Sequence, residues 1–372
     1  MRNILITGAT GFLGWNIVRD LLSGRKSKVF ILARDKSDQK ASDRISDLLA
    51  KDFGEEKAKI FAEHIEVVEG DITLPDLGIK RGKARRLIKE VDAIYHCAAL
   101  CEFGVPLEPI SKINVGGTRN VLNFAMECRE NREFKSVIHI STLGIAGKSG
   151  GVFREDDLDI GQGFNNTYEQ TKFEAEKLVA QYRQKGVCIS VFRPAIITGD
   201  SKTGEVSNFQ MLYQPLHIFS LELFGEIPAN KILRYNLVPV DYVAKAICLI
   251  SSNENNNKNY HLANPSTITL EYFLDAASSY FGFDKPRLVN EPEYDHASLT
   301  GFRRKLLEPY LPYFNHKKIV FDTSNFTRAV DGKRFQWPKI DEKLLLTLFR
   351  YCDKAGYIKQ KKAERDELLV TH

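Results

Sequence analysis

At 372 residues, of which 43% are hydrophobic, the chain is long enough to bury a sizeable core. Its 53 basic and 48 acidic residues leave a formal net charge of +5, which is typical of a mixed surface and not of a nucleic-acid-binding stripe. The mixed charge predicts no nucleic acid partner. Because no run approaches the roughly 18 consecutive apolar residues of a membrane span, we also expect no stable membrane insertion.

The cysteines and the amino terminus bear on the compartment. The six cysteines are scattered and include no C-x-x-C pair, which fits free thiols in a reducing cytosol. Met1 leads within two residues into the strand-like run ILITG, which differs from the charged and then apolar start of a signal peptide. We therefore expect a cytoplasmic location.

Short β-branched runs alternate with amphipathic helical patterns through the first half of the chain. Strands are predicted over residues 3–7, 28–33, 65–70, 92–98, 136–141 and 188–193. Strand and helix in alternation indicate a parallel sheet covered by helices on both faces. The fold class that we predict is α/β, a Rossmann-like doubly wound parallel sheet.

The alternation of strands and helices ends after about residue 195, where a loop is followed by a predicted helix over 209–222. One more strand is predicted over 259–264, and the rest of the chain has mainly helical patterns. We predict a Rossmann domain of residues 1–195 plus about 237–264. The predicted substrate-binding lobe is smaller and mainly helical, and it comprises residues from about 196–236 plus 265–372.

A glycine-rich string, TGATGFLG, follows the first predicted strand and places Gly8, Gly11 and Gly14 where the first helix begins. Glycine lets the chain turn sharply and lets backbone N–H groups at a helix N-terminus approach a pyrophosphate. A string in this strand-to-helix context predicts a dinucleotide-binding site.

The end of the second strand indicates which dinucleotide binds. Arg34 lies twenty residues past Gly14, near where an NAD-binding protein places an acid on the ribose diol. An arginine can bind a 2′-phosphate instead, and Arg44 is a second candidate for that contact, which favours NADP(H) over NAD. The alternative is that Arg34 is an ordinary solvated residue and that Asp35 serves the ribose.

A tyrosine followed four places later by a lysine occurs three times, as Tyr168 and Lys172, Tyr313 and Lys317, and Tyr357 and Lys361. Only the first pair lies on a helix between two predicted parallel strands. That helix should begin at the carboxyl edge of the sheet, where ligands of open α/β folds bind. The other two pairs lie in the late helical lobe and have no flanking strand to aim them at a cofactor.

Two hydroxyl residues, Ser141 and Thr142, end the fifth strand and could share a substrate oxygen with the Tyr168 phenol. Such an arrangement suits hydride transfer to a carbonyl, because the oxygen must receive a proton when the carbon receives the hydride. A free tyrosine has a pKa near 10. Lys172, one turn away, is expected to lower that pKa and to hold the nicotinamide ribose.

TGATGFLG, Thr142, YEQTK and FRPAIITG, in this order, resemble the extended short-chain dehydrogenase/reductase superfamily. The resemblance implies a catalytic set of a hydroxyl, a tyrosine and a lysine, and counting five places back from Gly147 selects Thr142 over Ser141. The sequence departs from the common pattern in having Thr for Ser and Ala146 where many members carry Tyr. That departure argues against the sugar-epimerase branch.

Further cofactor contacts are expected along the same edge of the sheet. Asp71 ends the third strand and is expected near the adenine, and RPAII resembles the segment that packs on the nicotinamide. No histidine spacing suggests a metal site. The expected cofactor-binding residues are Gly8, Thr10, Gly11, Phe12, Leu13, Gly14, Arg34, Arg44, Asp71, Ile72, Ala98, Ala99, Asn114, Lys172, Pro194 and Ile196.

Longer strings, among them VVEGDITLPDLGI, FRPAIITGDSKTG and NLVPVDYVAKAI, are similar to the thioester reductase and fatty acyl reductase branch. This resemblance implies that NADPH reduces an acyl thioester to an aldehyde and, with a second hydride, to an alcohol. The acyl group would arrive on coenzyme A or on a separate acyl- or peptidyl-carrier protein, both of which are anionic. The basic segments FRRK, HKK and KQKK would then bind the anionic carrier. The alternative is that these segments are ordinary solvated surface.

Two other functions stay open. One is a dehydrogenase or epimerase acting on a sugar nucleotide, a sterol or another ketone. The other is a noncatalytic NADP sensor, which would be expected to lack the tyrosine or the lysine. The sequence pattern carries no signal for the acyl chain or the oligomeric state.

Overall fold

The computed structural model describes residues 2–24, 27–35, 38–252, 257–315 and 318–361. Its strands are β1 (Arg2–Thr7), β2 (Ser27–Ala33), β3 (Ile65–Glu69), β4 (Ala93–His96), β5 (Ser136–Ile140), β6 (Gly151–Phe153), β7 (Ile189–Pro194), β8 (Ile196–Thr198), β9 (Glu226–Pro228), β10 (Arg234–Tyr235), β11 (Leu237–Pro239), β12 (Asn259–Leu262), β13 (Ile268–Thr269), β14 (Arg287–Val289) and β15 (Ile319–Phe321).

The helices are α1 (Phe12–Ser23), α2 (Ala41–Ala62), α3 (Arg81–Glu90), α4 (Leu107–Ser111), α5 (Gly117–Cys128), α6 (Thr167–Gln184), α7 (Tyr213–Ser220), α8 (Val240–Ser251), α9 (Leu270–Phe281), α10 (Gly301–Leu307), α11 (Leu311–Phe314), α12 (Ser324–Val330) and α13 (Glu342–Lys354). Within the described residues, none of them combines the length and the apolar character needed to cross a lipid bilayer.

Seven parallel strands form the central sheet, in the order β12-β7-β5-β4-β1-β2-β3. Each predicted strand corresponds to one of these, and β12 is the strand predicted over 259–264. The strands read as nearly continuous apolar runs because helices cover both faces of a parallel sheet. The predicted fold class is confirmed. The strand order reverses beside β1, which places the ligand crevice at the carboxyl ends of β1 and β4.

Two separate cores cover the two faces of the sheet. On one face, α1 and α8 pack together through side chains such as Ile17, Val18 and Ile247. On the other face, α3, α5 and α6 bury an equally apolar set. A third core lies in the C-terminal lobe, where α7, α9 and α13 pack around phenylalanine and leucine side chains.

The predicted boundary of the lobe requires one correction. The sequence pattern places the chain from β15 to Trp337 in the lobe, but this segment returns to the nucleotide-binding domain. β15 pairs with β6, and Phe326 of α12 is buried in the core that contains α1 and α8. Phe335 and Trp337 pack against the same core, so this segment covers the sheet. Its aromatic residues suit a core as well as they suit a helical lobe, which is why the sequence does not separate the two.

A buried ion pair ties α6 to β7. The Arg193 guanidinium donates to the Glu176 carboxylate, with Nη2 2.7 Å from Oε2 and Nε 3.0 Å from Oε1. The Arg193 side chain is 0% exposed and that of Glu176 is 3% exposed. Two N–H groups lie in a fixed fork that matches a carboxylate, so the pair fixes the helix in one position on the sheet.

We predict that Arg193→Ala lowers the free energy of unfolding by about 3–5 kcal/mol, because it leaves the Glu176 carboxylate charged and buried. Denaturant unfolding followed by circular dichroism measures this change. The control is Arg304→Ala, which breaks an exposed pair with Glu308 and should cost less than about 1 kcal/mol. Equal small losses in both variants would contradict the structural role of the Arg193 pair.

Candidate active site

The glycine loop between β1 and α1 forms a bare backbone cradle. Gly8 has φ +71°, and a Cβ atom there would lie 2.6 Å from the Ala98 backbone nitrogen. A Cβ on Gly14 would lie 2.1 Å from the Gly8 carbonyl oxygen. Side chains are thereby excluded where the loop, β4 and the first turn of α1 meet. A dinucleotide pyrophosphate fits this cradle at the N-terminus of α1.

Two arginines lie at the carboxyl end of β2. Arg34 Nη1 is 3.3 Å from Asp71 Oδ2, and Arg44 donates through Nη2 to the Arg34 carbonyl oxygen. The Arg44 Nε is buried and has no hydrogen-bond partner among the described residues. Asp35, the alternative ribose contact, accepts a hydrogen bond from the Ala41 N–H at 2.8 Å, where α2 begins. The exposed Arg34 guanidinium therefore offers donors at this end of the crevice, with Arg44 beside it.

The carboxylate of Asp71 is held by its own neighbours. Its Oδ1 accepts from the backbone N–H and the hydroxyl of Thr73, both at 2.8 Å. Partial burial opposes ionisation, but these hydrogen bonds and the Arg34 guanidinium keep the pKa of Asp71 below its ordinary value. Asp71 is therefore ionised at neutral pH and bridges the end of β3 to Arg34.

Thr142 and Tyr168 meet at the carboxyl edge of β5. The Tyr168 phenol adjoins the Thr142 hydroxyl and the Cys101 thiol, and Thr142 and Tyr168 line one cleft. Thr142 begins the turn after β5, and its Oγ1 accepts from the Gly144 N–H at 3.1 Å. Ser141 is 5% exposed, and its hydroxyl has no partner within the described part of the chain. The structure therefore brings Thr142, and not Ser141, to the tyrosine.

Lys172 lies one turn after Tyr168 on α6, as the spacing predicts. The residue is 3% exposed, and its ammonium donates to the Ile140 carbonyl oxygen at the end of β5, 2.7 Å away. Burial lowers the pKa of Lys172, although the nearby Cys101 thiol and Glu176 carboxylate oppose that effect. The lysine is therefore held against the strand end that Thr142 follows.

The pKa of Tyr168 differs from the sequence-based expectation. Lys172 is expected to lower it, but burial of the phenol and the adjacent Cys101 thiol raise the pKa of Tyr168 well above its ordinary value. The neighbouring Thr142 hydroxyl opposes this rise only in part. In this structure Tyr168 is thus a protonated phenol, which is the form that can donate a proton.

Two residues that the sequence did not place at the site, Tyr313 and Phe103, lie near the Tyr168 phenol. The Tyr313 hydroxyl, 147 positions beyond Asn166, accepts from the Asn166 side chain and donates to Glu169 Oε1 at 2.7 Å. The Phe103 ring stacks on the Tyr313 ring with centroids 5.4 Å apart. The late lobe therefore does reach the site through Tyr313, contrary to the expectation for that pair. Its spacing partner, Lys317, lies outside the described ranges.

No spacing in the sequence connects Phe103 to Tyr313, because they approach only when the lobe folds over the sheet. The position of Glu169 near the site, by contrast, could be predicted from the sequence. It follows Tyr168 directly, and the Asn166 side chain accepts a hydrogen bond from its backbone N–H as the N-cap of α6.

The remaining predicted contacts fall into two groups. Pro194 and Ile196 line the same cleft as Thr142 and Tyr168. On the other side of the crevice, the loop and its flanking strands carry Thr10, Gly11, Phe12, Leu13, Ala98 and Ala99, all of which are at least partly accessible.

Asn114 and Ile72 are both held by contacts within the protein. The Asn114 amide donates to the Leu100 carbonyl oxygen and to the Thr171 hydroxyl, both at 3.0 Å, and accepts from the Leu100 N–H. Asn114 therefore positions the loop after β4 against α6. Ile72 is buried against Gly117, where a Cβ atom would lie 2.6 Å from the Ile72 Cδ1 atom.

The cleft that these residues form lies between the sheet and the lobe. Thr142, Tyr168 and Pro194 line one side of it, and Arg234 and Asn236 line the other. It therefore joins the strand ends, where a nicotinamide would lie, to the lobe that would hold a substrate.

The chain is similar to known proteins along most of its length. The family described as Male sterility protein matches residues 6–247. The chain is 27% identical over 371 residues to part of the linear gramicidin synthase of Brevibacillus parabrevis, covering 95% of this chain and 7% of that protein. It is 29% identical over 314 residues to the carboxylic acid reductase of Mycobacterium tuberculosis, covering 75% of this chain and 26% of that protein.

A solved structure is similar along almost the whole chain. The terminal R domain from the myxalamid PKS-NRPS biosynthetic pathway superposes with a TM-score of 0.81 and 28% identity, covering 97% of this chain and 92% of that one. The chain thus spans a small part of the two curated relatives and nearly all of this single domain.

Proposed function

The chain belongs to the Male sterility protein family and is an NAD(P)H-dependent reductase of the extended short-chain dehydrogenase/reductase type, and we propose that it reduces an acyl thioester with NADPH. The observation that carries this proposal is the meeting of Thr142 and Tyr168 at the strand edge, with Lys172 one turn behind them. Two hydroxyls there can hold one carbonyl oxygen and protonate it.

The thioester nature of the substrate is supported by the relatives and by the cleft. The names of the relatives include a carboxylic acid reductase and a terminal R domain of a peptide synthetase pathway. We propose that coenzyme A or an acyl- or peptidyl-carrier protein presents the acyl group. Arg234 and Lys318 line the cleft, and their positive charges would attract an anionic carrier.

The three basic segments considered for the same role are less informative. Arg303, Arg304 and Lys305 of FRRK are exposed on α10. Residues 316–317 of HKK and residue 362 of KQKK lie outside the described ranges.

The chemistry follows from the positions of these side chains. Bound NADPH supplies the hydride that forms the new C–H bond at the thioester carbon. The Thr142 hydroxyl polarises the carbonyl through a hydrogen bond, and the Tyr168 phenol gives its proton to the oxygen as charge develops there. Lys172, held by the Ile140 carbonyl, keeps a positive charge beside the phenol from which the proton departs.

The product of this step is a hemithioacetal on the substrate. Its C–S bond then breaks, the oxygen loses its proton as the C=O bond forms, and the departing sulfur takes up a proton to become a thiol. The balance is one acyl thioester, one NADPH and one proton for one aldehyde, one thiol and one NADP⁺. A second hydride transfer at the same hydroxyls would convert the aldehyde to an alcohol.

NADP(H) is the proposed cofactor because of the two arginines at the end of β2. The exposed Arg34 guanidinium offers donors to a 2′-phosphate, and the guanidinium of Arg44, which donates to the Arg34 carbonyl oxygen, adds a second positive charge beside it. Asp35 is engaged by Ala41, which leaves it less able to bind a ribose diol.

The experiment that tests the function is NADPH oxidation with a panel of acyl-CoA and acyl-carrier thioesters, with aldehyde and alcohol measured as products. We predict thioester-dependent turnover that Tyr168→Phe lowers about 10²- to 10⁴-fold, since the general acid is removed. The matched control is Tyr357→Phe, which changes another tyrosine of the same spacing and should keep the wild-type rate. Turnover of ketones or sugar nucleotides without any thioester turnover would contradict the proposal.

The two adjacent hydroxyls provide a second test. Thr142→Ala should lower kcat about 10²- to 10³-fold because the substrate oxygen loses a hydrogen-bond donor. Ser141→Ala should leave kcat within about twofold of wild type, since that hydroxyl is buried away from Tyr168. Steady-state kinetics at saturating NADPH measure both. A large loss in Ser141→Ala with little loss in Thr142→Ala would overturn the assignment.

For the cofactor, we predict that Arg34→Ala raises the Kd of NADPH about 10- to 100-fold, which corresponds to one lost charge-assisted hydrogen bond. The Kd of NADH should change much less, because NADH lacks the 2′-phosphate. Titration of intrinsic fluorescence measures both constants, with Arg287→Ala in the lobe as the control. Equal losses for the two cofactors would show that Arg34 does not bind the phosphate.

A further inference from the structure

A second, apolar chamber opens off the catalytic cleft inside the lobe. Its cavity volume is about 60 Å³, several times the roughly 10–15 Å³ that one water-sized group needs, so it has room for a short run of methylene groups. Its walls come from α7, α9 and α11 and from the β8 and β11 region. The chamber shares Phe103, Ile196, Met211, Tyr235 and Tyr313 with the cleft, so the two spaces adjoin.

The polar groups in the chamber wall are already satisfied. Among the residues that the structure describes, no charged side chain lines the chamber, and its only side-chain hydroxyls belong to three tyrosines. Tyr235 donates to the Tyr313 carbonyl oxygen at 2.7 Å, and Tyr310 donates to Gln214 Oε1 at 2.8 Å. Tyr313 donates to Glu169 Oε1 at 2.7 Å. A polar substituent in this space would lose its water and find no free donor.

Phe103 stands where the cleft and the chamber meet. Its ring centroid is 6.5 Å from that of Tyr168, 6.3 Å from that of Tyr310 and 5.4 Å from that of Tyr313, on which it stacks. A chain attached to a carbonyl carbon at the Tyr168 phenol therefore passes Phe103 to reach the chamber. The aromatic contacts hold this ring in place between the two spaces.

We propose that the chamber binds the acyl chain of the substrate and restricts it to apolar chains without amino, hydroxyl or carboxylate substituents. The inference rests on the proposed function, because it assigns the group that the thioester carries. Recognition is by apolar burial alone, so longer chains bind more tightly until the chamber is full. Leu212 lies in the chamber wall at the start of α7, where a larger side chain would shorten the space.

The test is the ratio of kcat/KM values for CoA thioesters of butanoate, octanoate, 8-aminooctanoate and octanedioate. We expect kcat/KM to rise about threefold to fourfold for each methylene between butanoyl and octanoyl. The two polar-ended thioesters should fall at least about a hundredfold below octanoyl-CoA, because a charge would be buried without a partner. These wild-type measurements need no variant to fold.

A matched pair of variants locates the effect. Leu212→Trp should lower the octanoyl to butanoyl ratio at least about tenfold, whereas Leu221→Trp, at an exposed leucine just after α7, should keep it. Equal kcat/KM for short and long chains, or efficient turnover of the polar-ended thioesters, overturns the chamber proposal and leaves thioester reduction standing. No turnover of any thioester overturns the proposed function, and this inference with it.

Discussion

Tyr168, Lys172 and Glu176 follow one another at intervals of four residues and therefore share one face of α6. The Lys172 ammonium binds the Ile140 carbonyl of β5, and the Glu176 carboxylate binds Arg193 of β7. Both charges are buried, so each requires its partner, and together the partners fix the depth and the rotation of the helix. The helix held in this way carries the Tyr168 phenol to the cleft that Thr142 also lines.

The same arginine connects the sheet to the segment that returns from the lobe. Arg193 donates to the Glu155 carbonyl oxygen and to His261 Nε2, and the other ring nitrogen of His261 donates to the Asp322 carbonyl oxygen. Burial and the nearby guanidinium lower the pKa of His261 to about 3, so its ring is neutral, as these bonds require. The catalytic helix, β7, β12 and the chain before α12 thus form one buried network.

The sheet and the glycine loop could be predicted because each depends on residues close together in the sequence. Apolar runs mark β1 to β5, and three glycines mark the turn where side chains do not fit. Tyr168 could be chosen among three similar pairs by its place between strands. Phe103, Tyr313 and the return of β15 to β6 could not be predicted, since they depend on contacts across most of the chain. The pKa of Tyr168 also depends on burial, which the spacing of a tyrosine and a lysine does not report.

The central claim is that hydride and proton are delivered to one thioester carbonyl at this edge of the sheet. Its most direct test is a single turnover with NADPH that carries deuterium at C4 of the nicotinamide, with the acyl product examined by mass spectrometry and the released thiol titrated. We predict an aldehyde with one deuterium at its carbonyl carbon and one equivalent of thiol. Thiol released with an unlabelled carboxylic acid as the product would instead show hydrolysis and would contradict this mechanism.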